Sequence, residues 1–171
     1  MRLHLLLAVV LTLVLALPAF ACDPAGSEVF NPSRDKAIHH SDPTTGWAAH
    51  PPAPEVVAVD VSRGTGSDGF SCADAGSVSI KLRLPESTPF QIGELGFYFR
   101  VLTGNNILAG HAVPLVTNSK RRRVGSFVIF WLDGSPAQQQ PLDIVAEVFP
   151  VTHWLEIGPA TRFEIRAPVG S

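Results

Sequence analysis

The chain has 171 residues, with 15 acidic against 13 basic side chains, a formal net charge of −2 and only 16% charged residues. That balance supplies no overall electrostatic reason to bind nucleic acid, and a 46% hydrophobic content at low charge argues against a disordered chain. Fifteen Pro and 14 Gly argue equally against a bundle of long helices, and the length suits one domain.

Met1 to Ala21 reads as a secretory signal. Leu5 to Leu17 is a run of Leu, Val and Ala with one Thr, Arg2 is its flanking charge, and Pro18 breaks it. Ala19-Phe20-Ala21 supplies the small-x-small pattern of a cleavage site. The run is short for a membrane span and lacks a basic stop-transfer flank, so no span is expected after cleavage.

The mature chain would begin at Cys22. Ala19 and bulky Phe20 depart from the Leu-small-small-Cys pattern of lipid attachment, which leaves a lipid-anchored Cys22 as the minor reading. Cys72 is the only other cysteine, and an exported chain with two cysteines pairs them as a rule. A Cys22–Cys72 disulfide would close a loop of about 50 residues and stabilise by roughly 4 kcal/mol in the chain-entropy account.

Residues 22–54 read as an irregular N-terminal arm. Pro24, Pro32, Pro43, Pro51, Pro52 and Pro54 punctuate it, and neither a period of 2 nor one of 3.6 persists. A domain follows over 55–171. Val57, Val59 and Val61 alternate with Ala58, Asp60 and Ser62, which predicts a strand. Val78, Ile80, Leu82 and Leu84 alternate with Ser77, Ser79, Lys81 and Arg83, the pattern of a strand with one buried and one wet face. Leu95, Phe97, Phe99 and Val101 form a third set.

Ala109 to Val116 is weaker, and Pro114 consigns it to a sheet edge. Phe127 to Leu132 is apolar on both parities, as in a strand covered on both faces. Leu142, Ile144, Ala146 and Val148 make a sixth inward row, and Phe163 and Ile165 a seventh. Ile80, Phe97, Phe99, Ile129, Ile144 and Phe163 are the expected core.

Seven strands with short turns over about 115 residues match an immunoglobulin-like sandwich in count. The layout resembles the fibronectin type III branch: a valine-rich first strand after Pro54, a short fourth strand, and a closing hairpin of Leu142–Val148 with Thr161–Ala167. The chain departs from the family pattern in two places. Leu142 or Ile144 stands where a tyrosine corner would sit, and no Cys–Trp–Cys arrangement is evident. An open barrel or a jelly-roll fragment is the alternative architecture.

Catalytic signals are sparse. No Gly-x-Ser-x-Gly elbow occurs, Asp60 and Asp143 are far apart in sequence, and the glycines of residues 64–69 lack a phosphate-loop ending. His39, His40 and His50 lie in the arm near Asp35 and Asp42, while His111 and His153 are isolated. None has the spacing that regular structure turns into a metal site, and no metal or cofactor is expected.

The candidates that remain concern binding. Lys120, Arg121, Arg122 and Arg123 form the one charge run, read as a solvated turn, as an anionic contact or as a processing site. Tyr98 and Phe149 fall on the outward parity of neighbouring strands, where they form either a partner surface or a face covered by the arm with Trp47. Trp154 lies in the last hairpin turn, either exposed to a partner or tucked over the end of the sandwich. The expected class is an exported, non-enzymatic β-sandwich module, secreted or periplasmic, contacting a protein, glycan or envelope partner. The alternative is a small exported enzyme or metal carrier using the arm histidines.

Overall fold

The computed structural model describes residues 26–33, 49–66, 72–108, 114–117 and 123–171. They form eight strands: β1 Glu28–Val29, β2 Glu55–Ser62, β3 Ala75–Arg83, β4 Gly96–Thr103, β5 Leu115–Val116, β6 Val124–Leu132, β7 Leu142–Val151 and β8 Thr161–Ala167. Two short 3-10 turns, Cys72–Asp74 and Ile92–Glu94, are the only helical elements among the described residues. The chain is all-β, as its alternation predicts.

The strands make two antiparallel sheets, one of five in the order β1-β5-β4-β7-β8 and one of three in the order β2-β3-β6. The expected closing hairpin is present, with β7 and β8 paired in continuous register from Leu142↔Ala167 to Val148↔Thr161. β4 pairs with β7 through Tyr98↔Phe149 and Arg100↔Glu147, so the third and sixth predicted strands are indeed neighbours.

One core lies between the sheets. All six expected core residues are buried, Ile80, Phe97, Ile129 and Ile144 completely. Three phenylalanines join the layers: the Phe127 ring of β6 lies 5.0 Å from Phe97 and 5.6 Å from Phe99 of β4. Phe99 meets Phe163 of β8 edge-on at 6.5 Å. Edge-on and tilted pairs set the positive ring edge of one against the negative face of the other, adding to area burial.

Three features differ from the sequence reading. First, the arm is not loop throughout. Glu28 and Val29 pair with Val116 and Leu115, so β5 is not the sheet edge that Pro114 implies. The Pro114 carbonyl accepts the Phe30 N–H at 2.8 Å, extending the β1–β5 pairing by one bond although Pro114 has no N–H to return it. Second, the arm also touches the other sheet, where Ser27 N donates to Val128 O at 3.1 Å and Ser27 Oγ accepts from Val128 N at 2.9 Å. The arm thus bridges both sheets along one side. Third, β6 is covered unevenly: Phe127 and Ile129 are buried, while Leu132 at its end is 76% exposed.

Candidate functional site

The β7–β8 turn is built around Thr152, a threonine only 6% exposed. Its hydroxyl accepts from the backbone N–H groups of Trp154 and Glu156, each at 3.2 Å. Its carbonyl accepts from Leu155 N at 3.0 Å, and its own N–H donates to Glu156 O at 3.0 Å. A short side chain closing bonds to its own following backbone favours a turn over a continued strand. The base is closed by Gly158 N donating to Pro150 O at 2.9 Å and by a bridge between Val151 and Ile157.

The arm braces this turn. Ser33 N donates to His153 Nδ1 at 3.2 Å, and the Phe30 ring lies 4.5 Å from the imidazole. Phe30 reaches that position because Gly96 has no side chain: a Cβ there would stand 2.4 Å from the Phe30 ring. At Gly158 a Cβ would meet the Pro51 carbonyl oxygen at 2.3 Å.

A rigid frame therefore holds an apolar tip in water. Trp154 is 40% exposed, Leu155 61% and Ile157 63%. Leu155 has φ of 66°, the left-handed region that costs an L-residue other than glycine about 1–2 kcal/mol. Among the described residues it is the only non-glycine with positive φ. The sequence reading reached Trp154 but missed Leu155 and Ile157. The signal that was available is a Trp-Leu-Glu-Ile cluster of apolar residues in a turn, where small and polar residues are the norm.

The outward face of the five-stranded sheet carries the second expected surface. Tyr98 and Phe149 are half-buried and stacked, centroids 5.2 Å apart with 24° between planes. The Arg100 guanidinium lies 5.8 Å over the Phe149 ring, and its Nη2 contacts Glu147 Oε1. The aromatic pair is thus covered on one flank by a cation and a carboxylate, which narrows the apolar patch that the sequence parity implies. The Trp47 covering lies outside the described residues.

Charge is buried at the opposite end of the sandwich. Arg63, just after β2, and Asp133, just after β6, meet through Nε–Oδ2 at 2.8 Å and Nη2–Oδ1 at 2.9 Å. The side chains are 1% and 5% exposed. Asp133 also accepts from Gly64 N at 2.8 Å and Trp131 Nε1 at 3.0 Å. Arg63 donates further to the carbonyls of Pro168 and Gln140, each at 3.0 Å.

Burial by itself would raise the Asp133 carboxyl. The bonds from Arg63, Gly64 and Trp131, with the Arg63 charge, outweigh it and hold the group below its ordinary value. Neighbouring Gln139 donates to the Gly64 and Gly134 carbonyls and accepts from Gly170 N. A paired, hydrogen-bonded and dehydrated charge is a fastening: it ties the β2–β3 loop, the β6–β7 turn and the last residues together. Trp131, near the end of β6, is half-buried against the core, with its indole N–H spent on this carboxylate.

The remaining expected residues divide between the described segments and the rest. Arg123 donates to the carbonyls of Pro85 at 2.9 Å and Thr88 at 2.7 Å, so it locks the β3–β4 loop. Lys120, Arg121 and Arg122 lie outside the described residues, as do Cys22, His39, His40 and His111. The Cys22–Cys72 pairing therefore also falls outside them. His50 is exposed.

Among the described residues, no cluster of three or more His, Cys, Asp or Glu has metal-binding proximity. No helix among them is long and apolar enough to cross a membrane. Comparison with known proteins gives no match to a family model, a curated sequence or a solved structure.

Proposed function

We propose that the protein is an exported, non-enzymatic recognition module whose contact surface is the β7–β8 turn carrying Trp154, Leu155 and Ile157. One observation carries the reading: a braced turn keeps Leu155 in a left-handed conformation while 61% of it faces solvent. Backbone strain of this kind persists where surrounding structure over-determines it, and such sites are often functional. Large apolar groups fixed at a convex tip bind with little ordering entropy, and aromatic and aliphatic anchors dominate protein contacts.

We read the fold, more finely, as an immunoglobulin-like sandwich of the fibronectin type III kind. Lettering β2 to β8 as A to G gives sheets A-B-E and D-C-F-G. The immunoglobulin constant order is A-B-E-D and C-F-G, so only the fourth strand changes sheets. In that layout the β7–β8 turn joins the last two strands at one end, where this architecture clusters loops used for binding. Export rests on the leader-like residues 1–21, and we propose the Cys22–Cys72 disulfide on the same ground.

The basic run at 120–123 is proposed as an accessory contact for anionic groups, made by Lys120, Arg121 and Arg122 while Arg123 serves the fold. Replacing Arg121 and Arg122 by Ser should leave thermal stability within about 0.5 kcal/mol and abolish salt-sensitive retention on heparin. Absence of retention by the wild type at low ionic strength would refute the contact.

The module reading is tested by retention of a partner from an extract of the source cells. Wild-type protein should retain a species that Leu155→Ser/Ile157→Ser protein loses while melting at the same temperature. Equal retention by both would refute the turn as the surface.

A further inference from the structure

We infer that the partner of the β7–β8 turn is an anionic lipid surface, into whose headgroup layer Trp154, Leu155 and Ile157 insert. The inference rests on the reading of that turn as the contact surface and adds the chemistry of what it contacts. Area disfavours a protein as the occupant. Side chains that are 40%, 61% and 63% exposed together offer roughly 300 Å², against about 800 Å² per partner in a standard protein interface. A bilayer needs no matching pocket. A few apolar side chains carried to the boundary of headgroups and acyl chains suffice, and tryptophan favours that depth. The turn keeps its shape on insertion, because Thr152 holds its backbone from within and the arm braces it through His153. Its one acid, Glu156, is half-buried.

Charge at the same end of the sandwich selects an anionic surface. The turn follows Val151, which pairs with Gly96 at the start of β4. The 3-10 turn Ile92–Glu94 leads into β4 and packs near Gly125 at the start of β6. A Cβ on Gly125 would stand 3.3 Å from Ile92 Cγ2 and 2.6 Å from Cγ2 of Thr117, the residue after β5. Arg123 is tied to the Pro85 and Thr88 carbonyls that follow β3. The chain therefore leaves at Thr117 and returns at Arg123 on the end that carries the turn.

Between those two residues the sequence holds Lys120, Arg121 and Arg122, and no acid occurs anywhere between Glu94 and Asp133. Only β4 separates β5 from β7, which sets the two connections about two strand spacings, or about 10 Å, apart. Of the acids at this end, Glu55 is paired with Arg83 and Glu94 accepts the Gln91 N–H. Apolar insertion and basic attraction are the two signals that together hold a protein on a lipid surface, where either alone binds weakly.

Partition of the exported protein onto vesicles of equimolar phosphatidylcholine and phosphatidylglycerol, at low salt, tests it. The wild type should bind, and Trp154 emission, taken as the difference between wild-type and Trp154→Phe protein, should shift to the blue. Leu155→Ser/Ile157→Ser should lower the partition coefficient at least about tenfold with an unchanged melting temperature. Arg121→Ser/Arg122→Ser should lower it by a similar factor, and so should vesicles of phosphatidylcholine alone. A wild type that ignores the anionic vesicles overturns the inference. So does either double variant binding as the wild type does, or equal binding to the two kinds of vesicle. If the vesicles fail while a protein from the extract is still retained through Leu155, the lipid inference falls and the recognition reading stands.

Discussion

Arg63 and Asp133, 70 residues apart in sequence, meet as a two-point ion pair with bonds of 2.8 and 2.9 Å. Each side chain is at most 5% exposed. Two parallel bonds between guanidinium and carboxylate fix orientation as well as distance, and the Arg63 bond to the Pro168 carbonyl joins the residues after β8 to the two loops that carry the pair. Removing one partner would strand the other's charge in a dry site. Arg63→Met should therefore destabilise by about 3–5 kcal/mol in denaturant titration. A loss under about 1 kcal/mol would show that water reaches the site.

The same pair predicts a pH dependence with a definite sign. Asp133 is held below its ordinary value, so on acidification the unfolded chain takes up the proton first. Its contribution is complete above the unfolded value. It disappears as pH falls through the lower folded one, below about pH 4. Arg63→Met should flatten the acid limb of a stability-against-pH curve relative to the wild type. An unchanged slope would mean that other carboxylates carry the acid response.

Gly96 and Phe30 couple the arm to the turn. A Cβ at Gly96 would stand 2.4 Å from the Phe30 ring, so Gly96→Ala must displace the arm or strain β4, at about 1–3 kcal/mol. The Phe30 amide, bonded to Pro114 O, should then exchange its hydrogen faster. Unchanged protection there would show that the arm yields without undocking.

The Phe97–Phe127 contact is the strongest test of the packing between sheets. Phe97 is fully buried, and Phe97→Ala should cost about 3–5 kcal/mol through lost burial and a residual cavity. A cost below about 1 kcal/mol would contradict a shared core.

What the sequence revealed follows from how local each determinant is. Alternation along Val78-Ser79-Ile80-Lys81-Leu82 reports burial residue by residue, so the strands and core were legible. Arg63 and Asp133 were not, because each sits in a polar turn segment and only the pairing of distant loops gives either a partner. Asp133-Gly134 reads as turn chemistry, and it is a turn, but its carboxylate faces inward. Likewise Gly96 reads as an outward glycine, whereas its role is the space it leaves for Phe30. The left-handed Leu155 was invisible, since leucine carries no local signal for that conformation.

The central claim, that the β7–β8 turn is strained for recognition, is tested most directly by Leu155→Gly. Glycine adopts φ of 66° without steric cost, so the substitution relieves strain while removing an apolar contact. Melting temperature and partner retention should be measured on the same protein. The account predicts unchanged or higher thermal stability together with clearly reduced retention of the partner. Undiminished retention, or a fall in stability showing that the Leu155 side chain packs for the fold, would contradict it.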